Sequence, residues 1–117
     1  IIYSTIKTMN RFQHANLSSQ ISFHGHVVRA TKHDLEKVCG EVMYSDNDIT
    51  EKVQNEWEMQ AEDGTPFTIY DWKEYREYDT GETIEWHIGA ENRFGAAKGY
   101  KELARSFHLH PKIDYNI

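Results

Sequence analysis

A chain of 117 residues with 38% hydrophobic side chains is long enough to bury one core and too short for two, so a single domain is expected. Its one cysteine, Cys39, excludes an internal disulfide, and no apolar run approaches the ~20 residues that cross a bilayer, which makes a cytoplasmic protein without a membrane partner the expectation. The net charge is -6, unevenly spread: residues 1–40 are weakly basic and residues 86–117 likewise, whereas residues 41–85 hold fourteen Asp/Glu against three Lys/Arg. An acidic block of this kind repels nucleic acid and steers basic partners toward it.

Residues 1–20 show no clean period and read as an arm or frayed helix. From Ile21 to Ala30, β-branched residues predict a first strand with Phe23 and Val27 on one face. A short helix follows at once: Thr31 serves as N-cap with Asp34 three residues on, Leu35, Val38 and Cys39 form the apolar stripe, and Gly40 takes the left-handed position beyond the end. Glu41 to Gln54 lacks a sustained period and reads as a loop.

The stretch Asn55 to Ala90 carries all three tryptophans and predicts three neighbouring antiparallel strands. A two-residue turn at Asp63-Gly64 would set Glu58 against Ile69, polar against apolar. A three-residue loop, Glu62-Asp63-Gly64 with Gly64 left-handed, instead pairs Trp57 with Ile69 and Met59 with Phe67. The apolar face then holds Trp57, Met59, Phe67, Ile69, Ile84, Trp86 and Ile88, and the opposite face Glu56, Glu58, Gln60, Thr68, Tyr70, Trp72, Glu85 and His87. Lys73 to Glu82 is an acidic, tyrosine-bearing loop beside that second face.

Asn92 is a candidate cap for a C-terminal helix whose stripe, Phe94, Ala97, Tyr100, Leu103, Ala104 and Phe107, packs on the apolar sheet face. The four-residue spacing of Gly95 and Gly99 points to close approach of another backbone. The expected class is therefore α+β: a first strand, a short helix, a three-stranded antiparallel meander and a helix on one sheet face, with one domain over residues 21–108 and a tail over 109–117.

The runs Ile69-Tyr70-Asp71-Trp72-Lys73 and Glu85-Trp86-His87-Ile88-Gly89-Ala90, followed by a terminal helix, resemble a group of small uncharacterised bacteriophage and viral proteins. The likeness spans roughly residues 21–106 by eye. It brings no established activity; it implies an accessory protein acting on host or defence machinery.

Several chemistries can be weighed on the residues themselves. Glu56, Glu58, Asp71, Glu85 and His87 are candidates for acid–base work, and two-residue spacing puts Glu85 and His87 on one strand face, but no motif supplies a nucleophile, so no catalytic residue is assigned. His24-Gly25-His26 and His108-Leu109-His110 each offer half a metal site if both rings share a face; scattered surface histidines are the simpler reading, and no metal or other cofactor is expected. Asn92, Arg93 and Lys98 at the start of the last helix form the alternative, an anionic nucleotide site in an oligomeric small-molecule binder. A metal-dependent or acid–base hydrolase is a further alternative. The leading expectation is a non-enzymatic binding protein, a phage or viral accessory inhibitor, that presents Tyr70, Trp72, Glu74, Tyr75, Glu77, Tyr78, Glu85 and His87 to a basic host or defence protein as a mimic of nucleic-acid charge, with no direct nucleic-acid binding.

Overall fold

The computed structural model describes residues 9–12 and 21–110. Strands β1 (Asn10–Arg11), β2 (Phe23–Thr31), β3 (Tyr44–Ser45), β4 (Asn55–Gln60), β5 (Pro66–Tyr70) and β6 (Thr83–Ala90) are joined by helices α1 (Lys32–Cys39) and α2 (Arg93–Leu109). The class is α+β, with α2 packed on the sheet. The sheet itself is larger than three strands. Its order is β1-β4-β5-β6-β2, every pairing is antiparallel, and β3 also pairs with β4.

The β4-β5-β6 meander thus forms the middle of a six-stranded sheet. Two of the additional strands lie where a loop and an arm were expected. Tyr44 pairs with Glu56 and Asn10 with Gln60, each in a strand two residues long. Two residues carry no alternation, so nothing in the local pattern announces them. Most of the expected N-terminal arm, and all of the expected tail beyond His110, lie outside the described residues.

The central register is the one that matched apolar with apolar: Trp57 faces Ile69 and Met59 faces Phe67. Gly64 makes it possible. Its N–H reaches the Ala61 carbonyl at 2.8 Å, and its φ of +90° is a left-handed value that a Cβ would strain. The helix ends follow their capping residues as well. Thr31 Oγ1 accepts from the Asp34 N–H, Asn92 Oδ1 accepts from the Gly95 N–H, both at 2.9 Å, and Gly40 closes α1 with φ of +82°.

Trp57, Met59, Phe67, Ile69, Ile84, Trp86 and Ile88 are all buried, together with Leu35, Val38 and Cys39 of α1. Trp57 and Trp86 meet edge to face at 5.4 Å. Each indole N–H has a carbonyl, Gly40 O at 2.9 Å and Ala30 O at 3.0 Å, so neither ring is buried at the expense of an orphaned donor.

Helix α2 is rotated from its expected setting. Gly95, Ala96, Gly99, Leu103 and Phe107 face the sheet, and Phe94 is 71% exposed. A Cβ on Gly99 would lie 2.5 Å from Phe67 Cγ, so the close approach foreseen from the glycine spacing is to a phenyl ring rather than a backbone. Small residues let the helix sit low on the sheet, which decides the stripe in place of side-chain hydropathy. In β2, pairing shifts between His24 and His26, and this bulge puts Phe23 opposite Ala90 on the core face but Val27 opposite His87 on the other, so these two residues do not share a face. No helix among the described residues is long and apolar enough to cross a membrane.

Candidate functional site

The face of the sheet away from the core is built in rows. Strand register aligns Glu56, Tyr70, His87 and Val27 in one row across β4, β5, β6 and β2, and Glu58, Thr68, Gly89 and His24 in the next. Tyr70 is the centre of a ring cluster. It stacks on His87 with centroids 5.6 Å apart, meets His24 edge-on at 5.5 Å and Trp72 edge-on at 6.1 Å, and its hydroxyl is hydrogen-bonded to His24 Nδ1. A Cβ on Gly89 would come within 3.0 Å of His24 Nδ1 and 2.9 Å of Thr68 Oγ1, so the bare glycine is what lets this second row close up.

The ring cluster leaves Tyr70 only 5% exposed. That corrects its place among the presented residues: Tyr70 supports Trp72 from beneath instead of standing beside it. Burial, reinforced by the Glu56 carboxylate, pushes the phenol up to about 12, so it stays protonated. Burial also lowers the His87 imidazole from its usual value and favours its neutral form. On the same face burial, with Glu58 and Asp71 nearby, raises Glu56 to about 7. Glu58 is 3% exposed and accepts a hydrogen bond from the Tyr44 hydroxyl at 2.9 Å. An open hollow of about 720 Å³ lies here, lined by Tyr44, Glu56 and Glu58 among others.

Beyond β5 the chain enters the 71–82 loop, and Asp71 anchors it. Its carboxylate, 1% exposed, accepts from the backbone N–H groups of Gln54 (2.7 Å) and Asn55 (3.0 Å), from the Asn55 side-chain amide (3.2 Å) and from the Tyr78 hydroxyl. Four donors satisfy the buried charge. Tyr78 is accordingly turned inward, half-buried edge-on to Trp86 at 6.3 Å, and is a structural residue instead of the partner contact expected of it. Its hydroxyl, buried and bonded to a carboxylate, is held well above the usual phenol range.

Outside this anchor the loop is largely exposed, although the Glu74 side chain is only 19% exposed in its pair with Arg76. Trp72 is 40% and Tyr75 47% exposed, and Glu77 and Asp79 face solvent. Lys73 and Tyr75 both take left-handed backbone conformations, with φ of +54° and +53°. Non-glycine residues rarely do so, and the setting is fixed by Asp71 on one side and by the Lys73 N–H bonded to the Lys52 carbonyl at 2.7 Å on the other. Arg76 bridges Glu74 at 3.2 Å and Glu82 at 2.6 Å. Glu85 is exposed on β6, directly opposite Arg29 of β2. A second open hollow, of about 500 Å³, lies behind the loop, with Asp46, Glu77, Asp79 and Glu82 in its wall.

Of the expected partner-facing set, Trp72, Glu74, Tyr75 and Glu77 are thus gathered on one loop, Glu85 and His87 lie on the adjacent strand, and Tyr70 and Tyr78 are buried supports. The alternative nucleotide set is dispersed into other tasks. Asn92 caps α2, the Lys98 ammonium is paired with Asp63, and the Arg93 guanidinium lies over the Phe94 ring at 5.1 Å. The Lys98 ammonium and Thr65 hold the Asp63 carboxyl well below the usual range. The paired histidines of β2 do not share a face either: the bulge sends His24 to Tyr70 and His26 to the other side, stacked on Tyr100 of α2 at 5.3 Å. Among the described residues, no three His, Cys, Asp or Glu side chains converge as a metal set. Cys39 is a buried core thiol raised by desolvation.

Two contributors escaped the sequence: His24 as a partner of Tyr70, and Asp71 as the anchor of the loop. The signal for the first was Gly25 between two histidines in a strand, the mark of a bulge. No family model, no curated protein and no solved structure matches this chain.

Proposed function

We propose that this chain is a non-enzymatic binding protein whose docking element is the 71–82 loop, with Trp72 and Tyr75 as aromatic anchors and Glu74, Glu77 and Asp79 as an acidic rim facing a basic protein. The observation that carries the reading is the pair of left-handed residues, Lys73 and Tyr75, in a loop pinned by a fully bonded buried carboxylate. Each left-handed non-glycine residue costs about 1–3 kcal/mol, and such strain collects where a chain must present side chains in a fixed pose. Exposed aromatics ringed by charge are the composition of an interface centre and its rim. A preordered loop also loses little entropy on docking.

The resemblance to phage and viral accessory proteins suggests the partner: a basic host or defence protein whose nucleic-acid-binding surface the acidic loop addresses as a charge mimic. Calorimetric titration against candidate basic proteins tests this. Trp72→Ala should weaken a genuine complex by about tenfold or more, and Glu74→Lys with Glu77→Lys should slow association in low salt. A partner bound equally well by all three chains would overturn the proposal.

A further inference from the structure

Resting on that docking reading, we infer that the exposed face of the Trp72 indole is a cation seat, filled within the free chain by its own Lys73 and taken over on docking by an arginine side chain of the partner. The Lys73 ammonium lies 5.4 Å from the Trp72 ring centroid. Among the described residues its ammonium makes no ion pair and no hydrogen bond, and the residue is otherwise exposed. The other cation of the loop is held quite differently. The Arg76 guanidinium lies over Tyr78 at 5.9 Å, is clamped by Glu82 at 2.6 Å and Glu74 at 3.2 Å, and donates to the Glu77 carbonyl at 3.5 Å, so four groups would have to release it. Lys73 has one weak tether, and Arg76 has four. The first is a place-holder and the second a strut.

The seat is built to outlast the departure of its occupant. Tyr70 closes one side of Trp72 edge-on, at 6.1 Å and 85°, and is itself locked by His24 and His87. The Lys73 backbone is fixed by its N–H bond to Lys52. The ammonium can therefore swing away without moving the indole. A guanidinium is the better ligand for the vacated face, because it is planar, stacks flat on an indole and is less strongly hydrated than an ammonium. Glu77, exposed on the same loop, supplies the complementary charge.

The test is calorimetry with two probe peptides, Gly-Arg-Gly-Arg-Gly and Gly-Lys-Gly-Lys-Gly, blocked at both ends, against the wild type, Lys73→Gln, Lys52→Gln, Trp72→Ala and Trp72→Ala combined with Lys73→Gln. Lys52→Gln is the control for charge alone, since Lys52 is an exposed neighbour that lies over no ring among the described residues. Lys73→Gln should bind the arginine peptide about two- to fivefold more tightly than Lys52→Gln does, which is the worth of one exposed cation–π contact. In the Trp72→Ala background the Lys73→Gln gain should shrink to that of Lys52→Gln, and the arginine peptide should outbind the lysine peptide only where Trp72 is present. Equal gains from Lys73→Gln and Lys52→Gln overturn the place-holder, as does failure of both peptides to bind wild type and Lys73→Gln. Docking by the loop is judged separately, by the effect of Trp72→Ala on a whole basic protein, so either idea can fall while the other stands.

Discussion

The two faces of the sheet are both rich in aromatic rings and use them for opposite ends. On the core face Trp57, Phe67 and Trp86 are fully buried, and the only polar atoms they carry, two indole N–H groups, are bonded to carbonyls. On the other face Tyr70, His87 and His24 are layered under a half-exposed Trp72, with Glu56 and Glu58 in the same rows. The three rings of the first arrangement carry no group that titrates. The second stores titratable groups next to a loop held in a strained pose. Rings alone therefore do not mark a core or a site; what distinguishes the two faces is whether the rings' own polar atoms bond to backbone carbonyls or to one another.

Substitutions can break this contrast in order of size. Phe67→Ala, in the core beneath α2, should destabilise the chain by about 3–5 kcal/mol in urea unfolding. Asp71→Ala should follow at about 3 kcal/mol, since it leaves two buried amide donors and the Tyr78 hydroxyl without their acceptor. This variant should also lose partner binding out of proportion to its stability, because the anchor sets the loop. Gly99→Ala gains about 1 kcal/mol of helix propensity. Against this, the new methyl sits 2.5 Å from Phe67 Cγ and 3.0 Å from its Cβ, at the base of the side chain where a ring flip gives no relief. The net expectation is a loss of about 1–2 kcal/mol, read as a lowered Tm.

The smallest effect is on pH dependence near neutrality and is carried by Glu56 and His87 of the outer face. Folding raises Glu56 from 4.5 to about 7, so the folded chain holds that proton more tightly than the unfolded one. Its contribution is complete below pH 4.5 and is lost as pH rises through about 7. Glu56→Gln, neutral throughout, should match the wild type in acid and exceed it by about 1 kcal/mol at about pH 8, less than the full shift because solvent still reaches the carboxylate. His87 acts in the opposite sense: lowered by burial from 6.5, it withdraws stability as pH falls below that value. Denaturation midpoints across this range for wild type, Glu56→Gln and His87→Gln resolve the two, and a core variant such as Phe67→Ala should shift the whole profile without changing its shape.

Much of the central sheet was legible from residue pattern. Trp57 against Ile69 followed from matching apolar neighbours around Gly64, and Thr31, Gly40 and Asn92 marked helix ends through the backbone groups they can satisfy. The candidate site was legible only in part. Its acidic, aromatic loop stood out in composition, yet which rings face outward did not. Tyr70 and Trp72, two residues apart, alternate onto one face, but His24 comes from a strand 46 residues earlier to bury the first and leave the second open.

What the sequence by itself determined is whatever depends on neighbours along the chain: the strand period, the turn at Asp63-Gly64, the helix caps and the placing of Trp57 and Trp86 in the core. Contacts between distant segments were left to the tertiary structure. These are the two-residue edge strands on β4, the bulge that parts His24 from His26, the low seat of α2 on Phe67, and the burial of Asp71 under donors from Gln54, Asn55 and Tyr78. The physical reason is common to them. Each is settled by which backbone or side-chain group meets an already folded surface, and hydropathy along the chain carries no record of that meeting.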